Sequence, residues 1–196
     1  EVMHRRCPAL LFDEIPGFPK GQRILTNCLG SLPLLALTLG LPPEGSVADL
    51  LGRWREKRNS MSYVLPEYVL DGPVMENVRT GKDINVLDFP APMWHELDGG
   101  QYLGTGCVVI TKDPDSGWVN LGCYRVMVHG EKHVSVYISP GKHGALHREN
   151  WIRRGQPMPV AVSFGHDPLF FAGAFTQVPP QECEYDFIGG VLGEPV

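Results

Sequence analysis

Apolar and polar positions along this chain fall into two regimes, short segments broken by Pro and Gly up to about residue 71 and longer alternating runs beyond it. Residues 9–15 (ALLFDEI) and 22–27 (QRILTN) read as two short strands, because the intervening PGFPKG supplies Pro16, Gly17, Pro19 and Gly21 as turn formers. Two helices are expected next. Residues 31–39 are almost wholly apolar, and Ser46 is a suitable N-cap for VADLLGRWREK, which would set Leu50, Leu51 and Trp54 on one face. Residues 1–71 are therefore expected to form a small α/β element.

From Gly72 onward β-type patterns dominate: PVMENV, GTGCVVIT, WVNLGCYRVMVHG, HVSVYIS and PVAVSFG, separated by Gly and Pro turns. The clearest element is the hairpin MVHGEKHVSV, with apolar alternation on both arms around Gly130 and Glu131. Helical segments are expected near 143–154, 167–175 and 182–193. The expected class is α+β, with residues 72–196 as a second, mainly antiparallel domain. No internal repeat or low-complexity tract interrupts it.

A length of 196 residues with 43% apolar and 20% charged content suits one good core, or a core with a small satellite. The net charge of −5 argues against a nucleic-acid surface. The basic run RWREKR at 53–58 alternates with Trp54 and Glu56, and reads as a solvated helix face. Cys7, Cys28, Cys107, Cys123 and Cys183 are an odd set with no CxxC pair, which points to reduced thiols in a cytoplasmic protein rather than to disulfides or zinc. The apolar stretch 29–41 is too short to span a bilayer and carries Pro33, so a buried helix is expected there. The chain begins at Glu1 without a methionine and stops at Val196 just after an apparent helix, so a piece of a longer polypeptide is expected.

Candidate chemistry gathers at Asn120, Arg125, His143 and Glu184. Asn, His and Glu together offer a neutral oxygen, a borderline nitrogen and a hard anionic oxygen, a mixture suited to Mn²⁺ or Mg²⁺. Three such ligands leave an octahedral ion about half filled, and a phosphate would complete it. Arg125 adds a planar fork for a carboxylate or a second phosphate. In an unbroken strand Asn120 and Arg125 would point to opposite faces, so a bulge or kink near Gly122 is expected. His147 rivals His143 as a ligand, whereas His129 and His133 flank the hairpin turn and read as surface residues. Glu182 and Asp186 beside Glu184 suit a helix N-terminus on dipole grounds alone, and Glu194 lies near the far end of that helix. The glycines of GGQYLGTG lack the Lys-Ser/Thr of a Walker site.

The segments DGGQYLGTGCVVITKDPDSGWVNLGCYRVMVHG, SPGKHGAL and FGHDPLFFAGAFTQVPPQECEYDFIGGVLGE, taken in order, resemble the middle region of the UbiD family of prenylated-FMN-dependent decarboxylases. The resemblance runs from about Ala9 to the end. It implies a split β-barrel of the flavin-reductase type and a non-oxidative, reversible decarboxylation of an aromatic or α,β-unsaturated acid. Asn120, His143 and Glu184 resemble the ligands of a Mn²⁺ ion that ties the cofactor phosphate to the protein, and Arg125 resembles the arginine beside the flavin and the substrate carboxylate. Gly122, Cys123, Tyr124 and Lys142 fall where the family lines its cofactor. Carbonyl-bound K⁺ would lie near Leu121, Ala174 and Thr176, and Tyr102 and Thr105 would border the substrate. The family's acid pair lies in a segment this chain does not contain. The resemblance further implies a flavin prenyltransferase as cofactor supplier and a homo-oligomer in the full-length form. A noncatalytic flavin-binding subunit of a multi-subunit carboxylase is the alternative.

Overall fold

A computed structural model describes residues 8–196; Cys7 lies outside the described residues, and the four described cysteines are free thiols. The first strands are where the turn signals put them, but shorter: β1 (Leu10–Phe12) and β2 (Ile24–Thr26) form an antiparallel pair. Helix α1 (Leu32–Thr38) starts at Ser31 with Pro33 in its first turn. Helix α2 (Val47–Ser60) starts with a capping box, the Asp49 N–H donating to Ser46 Oγ and the Ser46 N–H to the Asp49 carboxylate.

Three expectations for this region need correction. Leu51 faces solvent, and the inward face is carried by Leu50 and the half-buried Trp54. The run 53–58 is not purely solvated: Arg53 donates to the Pro42 and Glu44 carbonyls, and Lys57 to the Leu39 carbonyl at 2.7 Å. The last carbonyls of α1 have no helical partner, and a cation one helix away satisfies one of them. The stretch 29–41 is buried only in part, through Ala36 and Leu39, while Leu37 points outward. Among the described residues no helix is long and apolar enough to cross a membrane.

PVMENV does not form a strand; it holds a single 3₁₀ turn, Pro73–Met75. Pro73 lacks a ladder donor, and Val74 has no sheet to face. The extended chain before it packs on the last helix instead, with the Val64 N–H donating to the Asp186 carbonyl and the Glu67 N–H to that of Val196. A Cβ at Gly189 would sit 2.5 Å from the Val64 oxygen, and one at Gly190 would sit 2.7 Å from that of Ser62. The adjacent glycines allow that close approach.

Six further strands make two antiparallel sheets, one ordered β3 (Tyr102–Gly104), β6 (Val126–Val128), β7 (Val134–Val136), the other β5 (Val119–Cys123), β4 (Val108–Lys112), β8 (Val160–Ser163). The fold is thus mixed α and β with small sheets, which do not pair with each other into a closed barrel among the described residues. The hairpin is as expected, Val126 opposite Val136 and Val128 opposite Val134. WVNLGCYRVMVHG is not one strand: the chain leaves the second sheet after Cys123 and enters the first at Val126, with Tyr124 and Arg125 in the crossing. Nor is there a bulge at Gly122, where the β4–β5 ladder runs in unbroken register. Glycine is required there by a close approach, since a Cβ would lie 2.3 Å from the Tyr124 ring.

Helices α3 (His143–Arg153), α4 (Pro168–Phe175) and α5 (Glu184–Leu192) complete the fold near their expected places. Val108 and Leu121 pack with Leu169, Phe187 and Ile188 of α4 and α5, while Val109 packs on the other side with Cys107 and Val126. Adjacent strand residues face opposite ways, so one sheet serves two apolar layers. Three consecutive residues at the end of β4 and the start of the turn after it hold α3: Thr111 Oγ1 meets His147 Nδ1 at 2.9 Å, the Lys112 carbonyl accepts from the Trp151 indole, and the Asp113 carboxylate accepts from the Asn150 amide.

Asp113 also accepts from the Ser116 N–H and hydroxyl, closing the β4–β5 turn. Burial raises its carboxyl, but the bonds from Ser116 and Asn150 outweigh that and bring it down to about 2. A folded-state value below the unfolded one means its contribution is complete above about pH 4 and is lost as the pH falls towards 2. Asp113→Ala is expected to cost about 1–2 kcal/mol near neutral pH. The difference from wild type in urea midpoint should shrink as the pH is lowered from 5 to 2; a constant difference would count against this role.

Candidate functional site

Strand β5 is the edge of its sheet, so backbone donors on its outer side lack a strand partner. The Leu121 N–H finds one in Glu184 Oε2, at 2.8 Å. Glu184 opens α5 and is 3% exposed. Burial pushes its carboxyl up to about 7, against the downward pull of the Leu121 N–H and its own N–H. A cation beside it would relieve that penalty.

Asn120 precedes Leu121 and therefore faces the other way, opposite Thr111 in the ladder and towards α3. It is 2% exposed, and its Nδ2 makes no full hydrogen bond, although the amide lies close enough to the Tyr124 phenol to act on it. His143 is the first residue of α3, following Lys142 at the N-cap. Its half-buried ring packs on Trp118 with centroids 4.6 Å apart. Burial, then the Lys142 charge, lowers its pKa and favours the neutral imidazole that can act as a ligand.

The Tyr124 phenol links these three elements. Burial raises its pKa, the Gly144 N–H and the Asn120 amide pull it back, and Glu184 raises it again. One hydroxyl thus feels β5, the start of α3 and the start of α5. Tyr124, Cys123, Arg125 and Lys142 also line a cavity of about 800 Å³, together with Tyr102 and Thr105. Gly122 lies buried beneath the Tyr124 ring. Leu121 and Ala174 share the apolar core, and the Thr176 hydroxyl donates to the Ala172 carbonyl at the end of α4.

Other candidates lie elsewhere. His147 is 1% exposed and turned to Thr111, with its Nε2 unpaired. His129 and His133 are exposed on the hairpin, His129 bonding Ser135. Among the described residues no three His, Cys, Asp or Glu side chains gather as a metal cluster. Asn120, His143 and Glu184 contain only two such groups, and the third donor would be an amide oxygen. The oxygen of a buried amide, a neutral imidazole and a buried acid of raised pKa form a donor set that fits a hard divalent ion.

Several residues at this site were not foreseen. Trp94, His95, Asp98 and Tyr137 line the cavity; an aromatic and a histidine inside the loop PAPMWHELDGG were the available signal. Trp118 touches the rings of both His143 and His147. Its place two residues before Asn120, on the same face of the chain, was the only hint.

Residues 67–196 match the family model described as the UbiD 3-octaprenyl-4-hydroxybenzoate carboxy-lyase Rift-related domain. The chain is 32% identical over 202 residues to the pyrrole-2-carboxylic acid decarboxylase of Pseudomonas aeruginosa, covering 100% of this chain and 40% of that protein. Among solved structures it resembles the closed form of vanillic acid decarboxylase from Sedimentibacter hydroxybenzoicus, with a TM-score of 0.87 and 30% identity over 96% of this chain and 40% of that one. An evolved dimeric form of the UbiD-class enzyme HmfF from Pelotomaculum thermopropionicum, in complex with prFMN, gives a TM-score of 0.80 at 25% identity, over 95% of this chain and 42% of that one. The chain therefore spans less than half the length of these relatives.

Proposed function

Since this chain belongs to the UbiD family, we propose that its parent protein removes CO₂ from an aromatic or α,β-unsaturated carboxylic acid, reversibly and without net oxidation, using prenylated FMN. The observation that carries this reading is that the segment bearing Asn120 holds the Glu184 carboxylate on the Leu121 N–H and the His143 ring against Trp118, and runs on into a cavity that Arg125 lines. Asn120, His143 and Glu184 would hold Mn²⁺ or Mg²⁺, and through it the flavin phosphate. Gly122, Cys123, Tyr124 and Lys142 would flank the cofactor. Carbonyls near Leu121, Ala174 and Thr176 would take K⁺. The two three-stranded sheets would be the halves of a split barrel within residues 72–196, with residues 1–71 as the preceding element.

The bound flavin would supply the electron sink for the bond broken with CO₂. The residues of this chain do the positioning. Arg125 can grip the substrate carboxylate with paired hydrogen bonds, while the aromatic walls Trp94, Tyr102 and Tyr137 suit a flat substrate. The relatives' names supply the substrate class, pyrrole-2-carboxylic acid for one and vanillic acid for another. A flavin prenyltransferase as cofactor supplier and a homo-oligomeric full-length enzyme belong to the same reading. Arg125 weighs against a flavin-binding subunit without catalysis, which needs a phosphate anchor but no guanidinium facing the cavity.

The test is reconstitution of the full-length protein with prenylated FMN, with and without Mn²⁺, followed by CO₂ release from a panel of aromatic and α,β-unsaturated acids. Turnover that needs both additions is expected. Tight flavin binding with no turnover of any acid would establish the subunit reading instead, and flavin retention indifferent to chelation would remove the metal tether.

A further inference from the structure

The three proposed ligands sit on three separate elements: Asn120 on β5, His143 at the start of α3, Glu184 at the start of α5. A divalent ion is bound well only if its ligands are already near their final places, so something must fix these elements relative to one another. One side chain ties together α3 and the segments that lead into β5 and α5. Trp118 lies two residues before Asn120 on β5's own segment. Its ring packs on His143 at 4.6 Å and on His147 at 4.8 Å, both on α3. Its indole N–H donates to the Glu182 carbonyl at 2.7 Å, just ahead of α5.

We infer that Trp118 is the positioning residue of the metal site, acting through the His143 ring and the Glu182 carbonyl; this rests on the proposed Asn120, His143 and Glu184 ligand set. The contacts restrain each ligand in a different way. The tilted ring contact, 59° between planes, limits rotation of the His143 imidazole and hence the direction of its lone pairs. The bond to Glu182 fixes the turn that delivers Glu184 to the β5 edge, where Leu121 receives it. The second ring contact closes a loop: His147 bonds Thr111, and Thr111 is the ladder partner of Asn120. The pull of an arriving ion on any one ligand is therefore opposed through the other two.

Phenylalanine at 118 keeps a ring and removes the indole donor; leucine removes the ring as well. In the full-length protein, Mn²⁺ affinity is read from the free-ion EPR signal in the presence of FMN, beside the melting temperature of metal-free protein. Trp118→Phe is expected to weaken Mn²⁺ about tenfold and Trp118→Leu about a hundredfold, with the metal-free melting temperature of Trp118→Phe close to that of wild type. Wild-type Mn²⁺ affinity in both variants, while Asn120→Ala loses the ion, would overturn the role of Trp118 and leave the ligand set standing. Wild-type affinity in Asn120→Ala would remove the ligand set and this inference with it. A fall in Mn²⁺ affinity in Trp118→Phe accompanied by an equal loss of metal-free stability would make the residue structural, and overturn the inference.

Discussion

Asn120→Ala is expected to lose Mn²⁺ and, with it, the flavin, while the metal-free protein melts no lower than wild type. The first half follows from losing the amide oxygen as the proposed third ligand, the second from a buried Nδ2 that makes no full hydrogen bond. A buried donor left short of a full hydrogen bond burdens the folded state, by up to about 1–3 kcal/mol, so its removal offsets part of the packing that is lost. A side chain kept for stability would give the opposite sign. Removing a group that merely supports a ligand costs about 10–100-fold in metal affinity, and removing a ligand itself should cost more than about 100-fold. Glu184→Gln supplies the control: the amide oxygen can still accept from the Leu121 N–H, so the β5 edge stays covered while the anionic charge disappears. Both variants should keep their fold and show no shift in melting temperature when Mn²⁺ is added. Retention of Mn²⁺ and flavin by Asn120→Ala, measured by metal content and absorbance after desalting, would end the ligand assignment.

The residues at the centre of this reading could be named from the sequence because each carries its chemistry in its type. An amide, an imidazole and an acid make a donor set that suits a hard divalent ion, and the segments that carry them resemble those of the family in type and order. Their mutual support could not be read, because it is built from contacts between residues far apart in the chain. Trp118 reaches Glu182, and Leu121 reaches Glu184, across more than sixty positions. The same division runs through the fold. Hairpin β6–β7 and helices α3 to α5 were legible from local alternation and turn residues. The break between β5 and β6 was not, since WVNLGCYRVMV alternates as if it were one strand, and only the Tyr124 ring lying over Gly122 reveals why the chain turns away. PVMENV failed as a strand because nothing in its own pattern indicates whether a neighbouring strand exists. Asp113 was passed over: the Pro and Gly of DPDSG mark a turn, but neither the Ser116 bonds nor the Asn150 bond that fastens the turn to α3 was read from it.

Arg125→Ala should reverse the pattern of Asn120→Ala, keeping metal and flavin but losing CO₂ release by about 10²–10³-fold, the usual cost of removing one charge-stabilising donor from a reacting centre. Arg125 is exposed, lies in the crossing between the two sheets, and lines the cavity. The ion pairs found among the described residues are Arg79–Asp88 and Arg154–Asp115, neither of which uses it. Substitution should therefore leave the fold and the ligand set untouched. A guanidinium presents a rigid fork to a carboxylate, whereas an ammonium presents a point charge, so Arg125→Lys should recover substrate affinity better than turnover. The informative comparison is single-turnover CO₂ release from flavin-loaded full-length protein, normalised to bound cofactor. Normalisation separates an orientation defect from a loading defect, which total activity would confuse. Undiminished release per flavin in Arg125→Ala would mean that the substrate carboxylate is held by another cation, with Lys142 on the same cavity wall the next group to replace.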